Sequence, residues 1–129
     1  MTHYVDTYPK ARREHRCSDC GRTIRVGEKY RRGVGMDNGT AWTWKECLHC
    51  QAIVPLVVDD DFFEEGYGDD TFTAWEPSSV PHLRLKALWR KRWQRADGGL
   101  YPVPVQVFRE DRTGWPHLVD VRMPEAGER

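Results

Sequence analysis

"CSDCGRTIRVGEKY" runs from residue 17 to residue 30, and "CLHC" follows at residues 47–50. Between them they hold every cysteine of the 129-residue chain: Cys17, Cys20, Cys47 and Cys50, as C-x2-C, 26 residues, C-x2-C. Two residues between thiols let one tight turn aim both sulfurs at a single ion. Two such pairs complete the tetrahedral thiolate shell of a closed zinc site. Gly21, directly after the first pair, suits a turn that needs positive φ and a close approach of backbone N–H groups to sulfur. A disulfide framework needs an oxidising compartment, and the N-terminal "MTHYVDTYPKARREHR" has no apolar core that reads as a secretory signal. A redox C-x-x-C normally stands alone at a strand-to-helix junction of a βαβ unit, whereas two pairs and no such unit occur here. One structural zinc ion on the four cysteines is therefore expected. His15 and His49 neighbour the pairs, but with four thiolates available they are expected around the metal shell and not in it.

The intervening segment sets the type of finger. "TIRVGEKYRRGVGM" reads as a strand with a turn at Gly27 near its start, and "TAWTWKE" alternates as a second strand. Asn38-Gly39 between them is a strong hairpin signal. "CLHC" then runs into "QAIVPLVV", an apolar stretch that predicts a helix interrupted or bent near Pro55. Knuckle, hairpin, then a helix whose first turn supplies the last two ligands is the order of a treble-clef finger, over about residues 10–58. The free N–H groups of a helix N-terminus also favour thiolates. Four thiolates around a divalent ion keep a negative charge, which Arg16, Arg22, Arg25 and Lys45 lie near enough in sequence to offset in part.

Zero net charge conceals a segregated pattern. Residues 51–80 carry eight acids and no base, and residues 81–95 six bases and no acid. Such blocks pair with one another in the fold or face partners of opposite sign. The acidic segment 59–80 contains "DDDFFEEGYGDD", which lacks the alternating ligands of a calcium loop and reads as an exposed loop anchored by Phe62, Phe63 and Tyr67. Residues 81–97 follow as a basic amphipathic helix. Ser78 or Ser79 caps it, Pro81 sits near its first turn, and Asp97-Gly98-Gly99 ends it. Leu85, Leu88, Trp89, Trp93 and Ala96 make the apolar stripe, with Arg84, Lys86, Arg90, Lys91 and Arg95 on the other sides. Residues 100–124 read as a β-hairpin turning at "DRTG".

Enzyme chemistry is not expected. No P-loop or G-x-G-x-x-G occurs, and neither serine of "EPSSVP" has a nucleophile-elbow context. A treble-clef HNH nuclease would need a histidine on the hairpin, and Ile24 to Glu46 contains none.

"HRCSDCGRTIRVGEKYRRGVG" followed by "WTWKECLHC" resembles the small zinc-finger accessory proteins of actinobacterial phages, over roughly residues 10–105. The knuckle is also similar to the opening of PARP-type and LIM-type fingers, which use histidine at a later ligand position where this chain has cysteine at both 47 and 50. The phage resemblance implies a fold, a metal and a binding role in the host cell, without an established activity. The expected molecule is one α+β domain over residues 1–129, with the zinc finger packed against the basic helix and the C-terminal hairpin. The expected partner is a host protein. The alternative is a nucleic acid, held by Arg84, Lys86, Arg90, Lys91 and Arg95 with help from Arg12, Arg13 and Arg16. No run approaches the roughly 18 apolar residues that span a bilayer, so no membrane role and a cytoplasmic location are expected.

Overall fold

The computed structural model describes residues 3–58 and 68–125. Within them the chain is a small mixture of strands and helices around one continuous cluster of buried side chains.

The first half is built on an antiparallel sheet. Strand β1 (His3–Thr7) pairs with β4 (Tyr30–Asp37), which pairs with β5 (Thr40–Cys47), giving the order β1-β4-β5. Asn38 and Gly39 join β4 to β5 with φ of 50° and 81°, the paired left-handed conformation of a tight hairpin turn. Strand β1 is not anticipated by the sequence reading. Its partner face explains it, because Gly33 and Gly35 lie directly under the indoles of Trp44 and Trp42, where a Cβ would overlap the rings. Tyr4 then meets both indoles edge-on, at 6.3 and 6.0 Å between centroids. Between β1 and β4, the two-residue strands β2 (His15–Arg16) and β3 (Thr23–Ile24) pair around the first cysteine turn.

Helix α1 (Leu48–Val57) follows β5 without a break. It is not interrupted at Pro55, which sits inside it on an exposed face in the last turn; only one backbone bond, to the Gln51 carbonyl, is given up there. The segment 59–67, with Phe62, Phe63 and Tyr67, lies outside the described residues. Residues 69–74 are not loop but a short helix, α2 (Asp69–Ala74), which buries Phe72 against Trp89 at 5.6 Å in a stacked pair.

Helix α3 (Val80–Arg90) begins as expected, with the Ser79 hydroxyl accepting from His82 N–H at 3.3 Å. It ends about six residues earlier than its apolar stripe suggests. Arg92 and Trp93 take φ of 57° and 59°, and the Trp93 N–H bonds the Leu88 carbonyl at 2.9 Å, closing the helix with a left-handed turn. Trp93 is thereby swung into the core, fully buried, while Ala96 is exposed. Burial of a large indole outweighs roughly 1–2 kcal/mol of left-handed backbone cost per residue. Residues 94–100 then fold back as a tight loop, with Arg95 N–H on the Gly99 carbonyl at 2.7 Å.

The expected C-terminal hairpin is present as β6 (Val105–Glu110) and β7 (Pro116–Arg122), with a bulge at Val107/Phe108. It docks through buried Val121, through Gln106 Nε2 donating to the Ala52 carbonyl of α1 at 3.1 Å, and through His82 Nε2 to Asp120 Oδ1 of β7 at 2.8 Å. Its turn is organised by Asp111, whose carboxylate accepts from the Thr113 amide and hydroxyl, the Trp115 amide and His117 Nε2. Hydrogen bonds from the Thr113 and His117 side chains, then from the two amides, hold this carboxyl below the usual range.

Trp93→Ala is expected to cost about 3–5 kcal/mol in urea unfolding, since it empties the centre of the core. The depressed Asp111 makes an acid-sensitive turn. The folded form binds this proton less tightly than the unfolded chain, so its contribution is complete above the ordinary aspartate value and fades as pH falls through the lower one. The protection factors of the Thr113 and Trp115 amides are expected to fall at low pH, and to do so at neutral pH in Asp111→Ala; unchanged protection in that variant contradicts the assignment.

Candidate metal centre

Sulfur is brought together from two distant places. The β2–β3 turn carries Cys17 and Cys20, closed by Cys17 N–H on the Arg22 carbonyl (2.8 Å) and Gly21 N–H on the Cys17 carbonyl (3.0 Å), with Gly21 at φ 76°. The end of β5 and the first turn of α1 carry Cys47 and Cys50. Ser18 N–H bonds the Lys45 carbonyl at 2.7 Å and so pins the first turn to β5.

The four Sγ atoms lie within 4.8 Å of one another, with Cys17–Cys50 at 3.8 Å and Cys20–Cys47 at 4.0 Å. A tetrahedron with metal–sulfur bonds of about 2.3 Å has edges of about 3.8 Å. The cage thus has the size that a divalent ion such as zinc requires, and it is far wider than a disulfide, whose sulfurs stand about 2.05 Å apart. All four thiols are free and buried. The chain can therefore hold a metal ion in a shell closed by protein on every side.

Backbone dipoles are aimed at the same sulfurs. Cys17 Sγ accepts from the amides of Asp19 and Cys47, and Cys47 Sγ from the amide of Cys50, each at 3.4 Å. The last of these makes Cys47 the N-cap of α1, so a sulfur of the cage is also the helix cap. Burial pushes the thiols of Cys47 and Cys50 well up, whereas hydrogen bonds with Cys20, Cys47 and Cys50 pull Cys17 down. Closure around a cation must therefore displace protons.

Neither neighbouring histidine enters the cluster. His49 Nε2–H donates to the Tyr101 carbonyl at 2.6 Å and its Nδ1 accepts from Arg22 at 3.5 Å, which ties α1 to the C-terminal half. His15 rests against Tyr30. Of the four cations expected to offset thiolate charge, Arg22 is buried beside the cluster and paired to Glu28 through both guanidinium nitrogens (2.9 and 2.7 Å), and Arg16 lies over Gly21. Arg25 instead reaches the Gly98 carbonyl.

Two buried acids flank the ligands and are not singled out by sequence. Asp19 is pushed up to about 11 by burial, then by its hydrogen bond and charge interaction with Glu46. Glu46 in turn is met by Arg31 at 3.2 Å, which also pairs with Asp6 at 2.8 Å. The only hint in the sequence is position: one acid inside the first pair, one just before the second.

The candidate basic surface is not one surface. Lys86 is buried, its Nζ donating to the carbonyls of Thr73 (2.8 Å) and Trp75 where α2 ends. Helix α2 has no basic residue in its own last turn, so Lys86 serves as its cap. Arg84, Arg90 and Lys91 are exposed, and Arg95, beyond the helix, stands 3.6 Å from Asp97. Arg12 and Arg13 are exposed on the segment before β2. No described helix is long and apolar enough to cross a membrane. No protein-family model matches the sequence, and no curated protein or solved structure matches it either.

Metal removal is expected to unfold the first half. Chelator treatment should abolish the near-ultraviolet signal of Trp42 and Trp44, and Cys47→Ser should reproduce that loss by removing ligand and cap together. Because metal competes with protons on raised thiols, apparent affinity in a chelator competition should rise from about pH 6.5 to 8. A stable, metal-free protein with intact hairpin would contradict this account.

Proposed function

We propose that the chain is a non-enzymatic module of the treble-clef type, stabilised by one structural zinc ion, whose work is to bind another protein. The observation that carries this reading is the closed, buried cage of Cys17, Cys20, Cys47 and Cys50. Four protein ligands leave no position for water or substrate, which is the arrangement of a structural site and not of a catalytic one. Turn, hairpin and a helix capped by the third ligand follow in treble-clef order. Zinc is the ion whose preferred shell is a thiolate tetrahedron of this size. One core joins the finger to α3 and the C-terminal hairpin, which supports reading residues 1–129 as a single unit.

The binding role rests on the sheet. One face of its far end carries Tyr4 and Trp42, 49% and 41% exposed, beside the half-buried Trp44, and the opposite face carries exposed Val5 and Met36. Aromatic side chains held rigid over glycine offer large contact area at small entropic cost, as at protein interfaces. The resemblance to actinobacterial phage accessory proteins makes a host protein the expected partner. The nucleic-acid reading is weakened by the burial of Lys86 and the pairing of Arg95.

Affinity capture from an actinobacterial lysate treated with nuclease tests this. A host protein should be retained by the zinc-loaded chain, and Trp42→Ala should reduce retention at least tenfold while leaving the melting temperature within a few degrees. Retention that needs nucleic acid and falls steeply with salt would replace this reading by the nucleic-acid one.

A further inference from the structure

Beside the first cysteine pair a cleft of about 510 Å³ opens between the β2–β3 turn and the end of α3. Three arginines line it: Arg16 just before Cys17, Arg90 at the end of α3, and Arg92 on the left-handed turn. Arg16 and Arg92 come within 3.4 and 3.8 Å of the point where a Cβ on Gly21 would stand, so both cations lean over the same glycine. None of the three pairs with a carboxylate among the described residues, whereas Arg22 and Arg31 do. Trp89, on the cleft wall, keeps its indole N–H buried without an acceptor. Asp69 is the one exposed carboxylate on that wall.

We propose that this cleft is a binding site for a phosphomonoester group, held by Arg16, Arg90 and Arg92. The cysteine cage on the same wall offsets part of this positive charge, and the planar guanidinium fork of a cation with no carboxylate partner matches phosphate oxygens two at a time. Grouping around a single cavity fits one terminal phosphoryl group. The backbone of a duplex would call for a row of cations along a strip. The backbone conformation supplies a second argument. Arg92 is a non-glycine residue at φ 57°, and the turn that buries Trp93 also sends the Arg92 side chain back over the cysteine turn. The proposal stands apart from the aromatic face of the sheet, and its test needs no partner.

The test is calorimetric titration of the metal-loaded full chain with inorganic phosphate, O-phosphoserine, a phosphoserine peptide and a DNA duplex. Phosphate and phosphoserine should bind one per chain. Arg92→Asn keeps a residue that tolerates the left-handed turn and removes the charge. It should weaken binding at least tenfold, as should Arg90→Gln, while Arg84→Gln changes nothing and all three keep full metal content. A peptide that binds more tightly than free phosphoserine points to a phosphorylated partner as the source; equal affinities point to a free phosphate ester. Absence of saturable phosphate binding at low-millimolar concentration overturns the proposal. So does a loss of metal from Arg92→Asn with phosphate affinity unchanged, which would mean that the arginines only neutralise the thiolates. Duplex binding without phosphate binding overturns it as well.

Discussion

A cage of four sulfurs closes a loop of 26 residues and brings two distant pieces of backbone to one point. The first turn meets β5 through one backbone amide, Ser18 to Lys45, through the sulfurs and through Asp19 beside Glu46. A chain with 39% apolar residues has a modest core, so an ion held at this cage would remove conformational freedom that burial alone would struggle to offset. The cage also sets directions. Cys47 ends β5, caps α1 and supplies a sulfur, so strand, helix and cysteine cage share one residue.

A concentrated charge must be accommodated by what surrounds it, and here the surroundings also do architectural work. Arg22 stands beside the thiolates because Glu28 holds it from the far side. His49, denied a ligand role by four cysteines, spends its two nitrogens on Arg22 and on the Tyr101 carbonyl. Asp19 and Glu46 share a buried corner with Arg31, which carries the network to Asp6 on β1 and over the Trp44 ring. The electrostatics of the cage thus reach both the C-terminal half and the aromatic sheet.

Much of this was legible in residues whose effect is local. The C-x2-C spacing, the Asn38-Gly39 turn, the Ser79 cap and the "DRTG" turn each act over four residues or fewer, and each appears where its chemistry puts it. Strand β1 was not legible, because its reason for pairing is a glycine floor and two indoles some thirty residues away. The burial of Lys86, a candidate partner-binding cation by sequence, was hidden for a similar reason. Helical periodicity places it off the apolar stripe, and only the arrival of α2 surrounds it with carbonyls that make burial of an ammonium favourable.

By itself, then, the order of amino acids determined the cysteine cage, the hairpin and the starts of α1 and α3, since thiol spacing and turn chemistry are properties of short peptides. Only the tertiary structure decided where α3 stops, which cations remain in solvent, and that Arg16, Arg90 and Arg92 meet at one cleft. Those outcomes depend on the competition for burial in a shared core. Trp93 wins that competition at the cost of two left-handed residues, a trade that no window of sequence contains.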